Sequence, residues 1–309
     1  MSADTVCLPR SSLLGPALDQ TPAFTTKAVR DAAAERIFAQ VDRLAPMPTI
    51  VAEVMRITDD PESNMRDLED SISRDPVVAA RVFKIANSSF YCRGALARTL
   101  TGALTRVGMR SVRTLVMAAS AGQVLDAHDR GYGYAFNGLW RHSLAMGLAS
   151  RMVASEVGLS RSEQEEIFLD GLVHDIGKLV LGPLFEGSVN STGLLALEAE
   201  AAQLGITHVE AGAAVATHWN LPAHARDTIA YHHQLTRNAI AERHVASVHL
   251  ADYVPNRANV GLAEGVVVDD HLDSSALECL SLNETTFSEL EMTVRNNVAQ
   301  INNECRQLM

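Results

Sequence analysis

The chain has no long apolar run. No stretch approaches the ~18 consecutive apolar residues of a membrane-spanning helix, so no membrane partner is expected. Cysteine is scarce: Cys7, Cys92, Cys279 and Cys305 stand far apart and form no CxxC pair. That spacing fits reduced thiols better than a disulfide or zinc framework. Positive charge is in deficit, with 26 Lys and Arg against 37 Asp and Glu and a net charge of -11. An acidic chain repels phosphate backbones, so nucleic acid is not an expected partner. Residues Met1 to Arg10 lack the basic-then-apolar pattern of a secretory signal. Together these absences lead to the expectation of a cytoplasmic protein. The alternating pattern of a β-strand is missing too, and so is any internal repeat.

The positive features are helical. Of 309 residues, 47% are hydrophobic and 20% charged, enough for a sizeable core in one or two domains. Residues 1–30, rich in Ser, Thr and Pro, read as an extension. From there the period is 3.6. Asp31 is placed to cap a helix with Ile37, Val41 and Leu44 on one face. Pro48 opens a second helix bearing Ile50, Val54 and Ile57. Ser63 is the expected cap of a third with Met65, Leu68 and Ile72. Asp75-Pro76 starts a fourth with Val78, Val82 and Ile85, ending near Asn87. Two more helical segments run to about Asp126, and Gly131-Tyr-Gly-Tyr134 reads as a joint. A long helix follows, from about Gly138 to Val157, with Gly158 placed to end it. Ser160 with Glu163, and Thr207 with Glu210, form capping boxes. A last stripe, Val294, Val298, Ile301 and Cys305, closes the chain. The expected fold class is all-α. An N-terminal helical bundle (31–132) packs on a second bundle (133–256), followed by a helical segment (257–309).

Several phrases resemble the HDOD family. They are Leu44-Ala-Pro-Met-Pro48, Asp75-Pro76, Lys84-Ile-Ala-Asn-Ser88 with Phe90-Tyr91, Ala103-Leu-Thr-Arg-Val-Gly108, Trp219-Asn-Leu-Pro222 and His232-His233. The likeness runs over about residues 40 to 254. It implies a relative of the HD-domain phosphohydrolases, used mostly in bacterial signalling and often stripped of its metal ligands. Here His174-Asp175-Ile-Gly-Lys178 keeps the HD signature, and His142, His208, His232, His233 and Asp252 follow the ligand order of the superfamily. By carry-over from the related HD-GYP phosphodiesterases, His142, His174, Asp175 and Asp252 would hold one divalent metal. Asp175, His208, His232 and His233 would hold a second. Iron, manganese, magnesium, nickel and zinc all stay open. Two departures stand out: Gly138 replaces the Glu expected one turn before the first His, and no Gly-Tyr-Pro follows His233. A third metal and cyclic di-GMP as substrate are therefore disfavoured.

Periodicity agrees with inward placement. His142 shares a helical face with Met146, Ala149 and Val153, His208 with Ala211, Val215 and Trp219, and Asp252 with Val245 and Val248. Polar groups on apolar faces need partners, which a shared metal supplies. A histidine on such a face is also, more commonly, a hydrogen-bonded core residue. His128, His218, His224, His244, His249 and His271 match no ligand position and are expected to be ordinary surface or core residues. Three functions stay open. The first is a signalling protein that acts through contacts with protein partners. The second is a metal-dependent phosphohydrolase on a nucleotide or other small phosphoester, with Asp175 and Lys178 as catalytic groups. The third is a metal-free scaffold.

Overall fold

The computed structural model describes residues 27–308 apart from 45–47, 89–90, 93, 126–130, 136–137, 186–188, 236–240, 258–261 and 270. Residues 1–26 with Cys7, Ala45 to Met47, Phe90 and His128 lie outside the described residues, as do the side chains of Val298, Ile301 and Cys305.

Local chemistry sets where the helices begin. α1 (Lys27–Val41) starts four residues before Asp31, so Asp31 does not cap it. Lys27, Ala28 and Arg30, just before Asp31, are good helix formers, so the helix extends back through Asp31 instead of starting there. α2 (Thr49–Asp59) follows Pro48 and buries Ile50, Val54 and Ile57, as expected. α3 (Met65–Ile72) is capped by Asn64 and not by Ser63. The Asn64 side chain accepts from the Arg66 amide, and Asp67, three residues on, accepts from the Asn64 amide. Asn64 has the acidic residue at the capping-box spacing and Ser63 does not. α4 (Pro76–Ala86) starts as the sequence predicts: one Asp75 carboxylate oxygen accepts from the amides of Val77 and Val78.

α5 (Leu100–Val107) and α6 (Met109–Leu125) complete the first half. The second half holds α7 (Gly138–Glu156), α8 (Arg161–Val173), α9 (Lys178–Leu181), α10 (Gly193–Leu204), α11 (His208–His218), α12 (Ala223–Tyr231) and α13 (Glu242–Arg257). α14 (Ser274–Cys279) and α15 (Glu284–Leu308) follow. α7 packs against α8, α13 and α15, and α12 against α8 and α11. In the first half α6 is the central helix, touching α2, α4 and α5 and reaching across to α8. α1 docks on α9 and α11, far along the chain. The fold class is all-α. Among the described residues there is no strand, only three isolated bridges: Tyr132 with Val189, Tyr134 with Leu262 and Ser191 with Val267. One apolar core runs through both halves, from Leu68 and Leu115 to Leu144, Phe168, Val215 and Val248. No helix among the described residues is long and apolar enough to cross a membrane.

The turn between α8 and α9 positions the site. α8 stops at Val173, with His174 as its C-cap, and the chain turns through Asp175, Ile176 and Gly177. Gly177 lies against the start of α11. A Cβ there would sit 1.9 Å from the His208 carbonyl oxygen and 2.5 Å from the Gly212 nitrogen. Both obstacles are backbone, so the approach of the Asp175 turn to His208 requires glycine. Gly177→Ala is expected to cost about 1–3 kcal/mol or more, by the usual scale for overpacking. Urea unfolding of parent and variant measures it; an unchanged midpoint would show that the two segments are not held this tightly.

Candidate metal centre

Seven side chains from five segments meet in the second half. His142 comes from the first turns of α7, which is buried along almost its whole length. His174 and Asp175 come from the α8–α9 turn. His208 is the first residue of α11, where Glu210 accepts from the Thr207 amide as the capping box requires. His232 and His233 follow α12, and Asp252 lies on α13. The five imidazoles and two carboxylates are all buried, His174, His208 and His232 completely.

Two donor groups result. Atoms of Asp175, His208, His232 and His233 lie within 4.8 Å of one another, as do those of His142, His174 and Asp252. Asp175 sits between the groups. Its Oδ2 lies 3.4 Å from Nε2 of both His142 and His174, and its Oδ1 lies 3.2 Å from His208 Nε2 and 3.8 Å from His232 Nε2. Asp252 Oδ1 is 3.8 Å from both His142 and His174. Donors around a common ion with bonds of about 2.0–2.2 Å stand about 3–3.5 Å apart; the Asp175 separations from His142, His174 and His208 match this, and the three of 3.8 Å are wider.

Partners outside the centre fix the rings. His174 Nδ1–H donates to the Gly171 carbonyl (2.8 Å), and His232 Nδ1–H to the carbonyls of Thr228 and Ile229 (both 3.1 Å). His208 Nδ1–H donates to the Glu200 carboxylate (2.8 Å), which also accepts from the His208 amide and the Tyr132 hydroxyl. In each ring Nε2 is thereby left as the lone pair facing inward, the arrangement that orients a metal-binding imidazole. Yet His174 Nε2, His232 Nε2 and Asp175 Oδ1 are buried without a hydrogen-bond partner. Orphaned buried acceptors are costly, and a cation is the partner they lack.

The electrostatics favour cation binding at Asp175, His232 and His233. Burial alone would raise the Asp175 carboxyl, but His174 and Lys178 hold it well below the usual carboxylate range. Burial and the neighbouring rings push His232 and His233 well below an ordinary imidazole, so both keep lone pairs at neutral pH. For His174 burial pulls down, but Asp175 wins and the ring is raised. Lys178 Nζ donates to Asp175 Oδ2 (2.6 Å) and to the Tyr134 hydroxyl (3.1 Å). Burial opposes its charge, but Asp175 raises it overall, so the ammonium stays charged.

The family model for the HDOD domain matches residues 44–235. The chain belongs to the HDOD family. Solved structures share its fold. An HDOD domain protein of unknown function from Geobacter sulfurreducens superposes with a TM-score of 0.73 at 22% identity, over 92% of this chain and 99% of that one. A candidate phosphohydrolase from Shewanella amazonensis SB2B gives 0.63 at 20% identity, over 89% and 98%. An uncharacterized protein of Treponema pallidum (strain Nichols) is 27% identical over 212 residues, 65% of this chain but only 40% of that protein.

The structure brings together all seven expected HDOD donors and Lys178. It adds residues the sequence did not single out. Tyr132 and Tyr134, in the segment expected to be only a joint, reach Glu200 and Asp175 (2.7 and 3.2 Å). A period-2 reading of Tyr-Gly-Tyr would have put both rings on one face. His224 and His244, which match no ligand position, form a triple with Asp170, which accepts from Nδ1–H of His224 (2.6 Å) and of His244 (2.7 Å). Its three residues sit on α8, α12 and α13, so no local spacing announces it. These contacts are hydrogen-bond lengths, shorter than donor spacings about a metal, so the triple reads as a hydrogen-bonded junction.

Two outcomes follow. Asp175→Ala should lose metal from both groups, whereas Asp252→Ala should lose only part of it. Elemental analysis of protein purified without a metal column measures this, and parental metal content in Asp175→Ala would disprove the assignment. Chelation should also lower the parent's melting temperature.

The second outcome concerns pH. Burial pulls the His224 pKa down, but the hydrogen bond and charge of Asp170, with Glu166, raise it overall against Arg113. A raised folded-state pKa contributes stability that is complete below the unfolded value of about 6.5 and is lost as pH rises through the folded value. The melting-temperature gap between parent and His224→Asn should therefore shrink from about pH 6 to about pH 9. A gap that widened would contradict this.

Proposed function

We propose that this HDOD protein transmits signals through contacts with protein partners, and that its second half is braced by two buried divalent metal ions bridged by Asp175. One observation carries the reading: the donor set is complete but closed. The space that touches its edge, beside His233 and Asp252, holds about 20 Å³. That is room for about one water and not for a phosphoester. The donors are imidazole and carboxylate without thiolate, a set that suits iron, manganese, nickel or zinc better than magnesium.

The phosphohydrolase reading has one observation in its favour, the placement of Asp175 between two donor groups beside a charged Lys178. Metal ions bound there would acidify a water and hold a phosphate. Against it, the Lys178 ammonium is engaged by Asp175 and Tyr134. The side chain that relatives place one turn before the first His is also absent at Gly138.

The test is hydrolysis of cyclic di-GMP and of generic phosphate mono- and diesters by metal-reconstituted protein, beside a His174→Ala/Asp175→Ala control. The expected result is no detectable cyclic di-GMP turnover and no ester hydrolysis above the control. Efficient turnover that vanished in the control would replace the signalling reading with the enzymatic one.

A further inference from the structure

A second cavity is lined by residues of both halves. It is a cleft of about 680 Å³ with Arg106, Arg110, Arg151 and Arg161 on its walls and Glu165 as its one carboxylate. In a chain with net charge -11 this is a marked local reversal of sign. The arginines come from four helices, the end of α5, the start of α6, α7 and the start of α8.

Glu165 does not neutralise them. It pairs with Arg151 at 3.2 Å and accepts from the Tyr91 hydroxyl at 3.3 Å. The Arg151 guanidinium carbon lies over the Tyr91 ring, 4.5 Å from its centroid, and its Nη1 is enclosed without a hydrogen-bond partner. Arg106 reaches only the Cys92 sulfur and Arg110 only the Ser162 hydroxyl, both 2.9 Å away. Among the described residues, Arg106, Arg110 and Arg161 have no carboxylate partner. Arg110 is the second residue of α6 and Arg161 the first of α8. A cation in the first turn opposes the helix dipole, so both placements cost stability unless an anion sits between them.

We infer that this cleft is a binding site for a small phosphate ester of nucleotide size. Guanidinium forks match phosphate oxygens in pairs, and the three without a carboxylate partner exceed what one phosphate needs. The volume lies within the range of small-molecule sites and is far larger than a lone phosphate group. The Arg151–Tyr91 stack adds a flat face on which a base can lie. The cleft is bounded by both halves, and α7 and α8 carry Arg151 and Glu165 at one end and His142 and His174 at the other. A ligand here would clamp the halves together and so supply an input to the signalling role. The site itself stands whether or not the buried centre holds metal.

The test is calorimetric titration of the full chain with pyrophosphate, AMP, ADP, GMP and GDP. It is repeated on Arg106→Gln/Arg110→Gln and on Arg36→Gln, a matching change on the exposed side of α1. Metal content and circular dichroism of each variant confirm that fold and centre are intact. The expected result is nucleotide binding tighter than pyrophosphate binding, weakened about tenfold or more in the double variant, unchanged in Arg36→Gln and reduced by added salt. Absence of binding by all five probes at millimolar concentration would overturn the inference. So would undiminished binding in the double variant, or pyrophosphate binding as tightly as every nucleotide.

Discussion

The buried carboxylate of Asp175 is the constraint around which the second half is arranged. A carboxylate removed from water must be surrounded by positive charge and hydrogen-bond donors or it will take up a proton. Lys178 supplies one full charge from the next turn, and Tyr134 supplies a hydroxyl. The remaining neighbours are imidazoles, of which His174, His208 and His232 have their outer nitrogens already committed elsewhere. His174 Nε2, His232 Nε2 and Asp175 Oδ1 are left without hydrogen-bond partners, a lack that a cation would supply. The packing of α7, α8, α11, α12 and α13 and the glycine at position 177 put that requirement in one place.

Much of this was legible in the sequence. Helix faces and caps follow from spacing alone, because a cap needs only a side chain and an amide two or three residues away. Asp75 and Ser160 behave as predicted for that reason. Where two polar residues adjoin, spacing to the next acid decides, and Asn64 displaced Ser63. The seven donors were named through resemblance to HDOD and HD-GYP proteins, since no local rule links His142 to Asp252. What stayed hidden depends on tertiary contact. Glu200 looks like any surface glutamate on α10 until His208 and Tyr132 close over it. Asp170, His224 and His244 meet from three helices.

The buried centre and the cleft gather opposite kinds of charge. The centre collects two carboxylates and five imidazoles that could hold a cation. The cleft between the halves is a positive site, open and wide, in a chain that is otherwise acidic. α7 and α8 run through both. A shift of either helix along its axis would be felt at each end, because packed helices move as rigid bodies more readily than they deform.

The docking of α1 on α9 and α11 bears on how the chain is made. Its apolar side, with Ala33, Ala34, Ile37, Phe38 and Val41, is buried in the finished fold by partners that are synthesised much later. At about 5–20 residues per second, the ribosome takes roughly 10–35 s to travel from Val41 to His218. Throughout that interval α1 has an uncovered greasy stripe and no native surface to lie on. The helix translated before every other described one thus meets its native partners only once α11 has emerged.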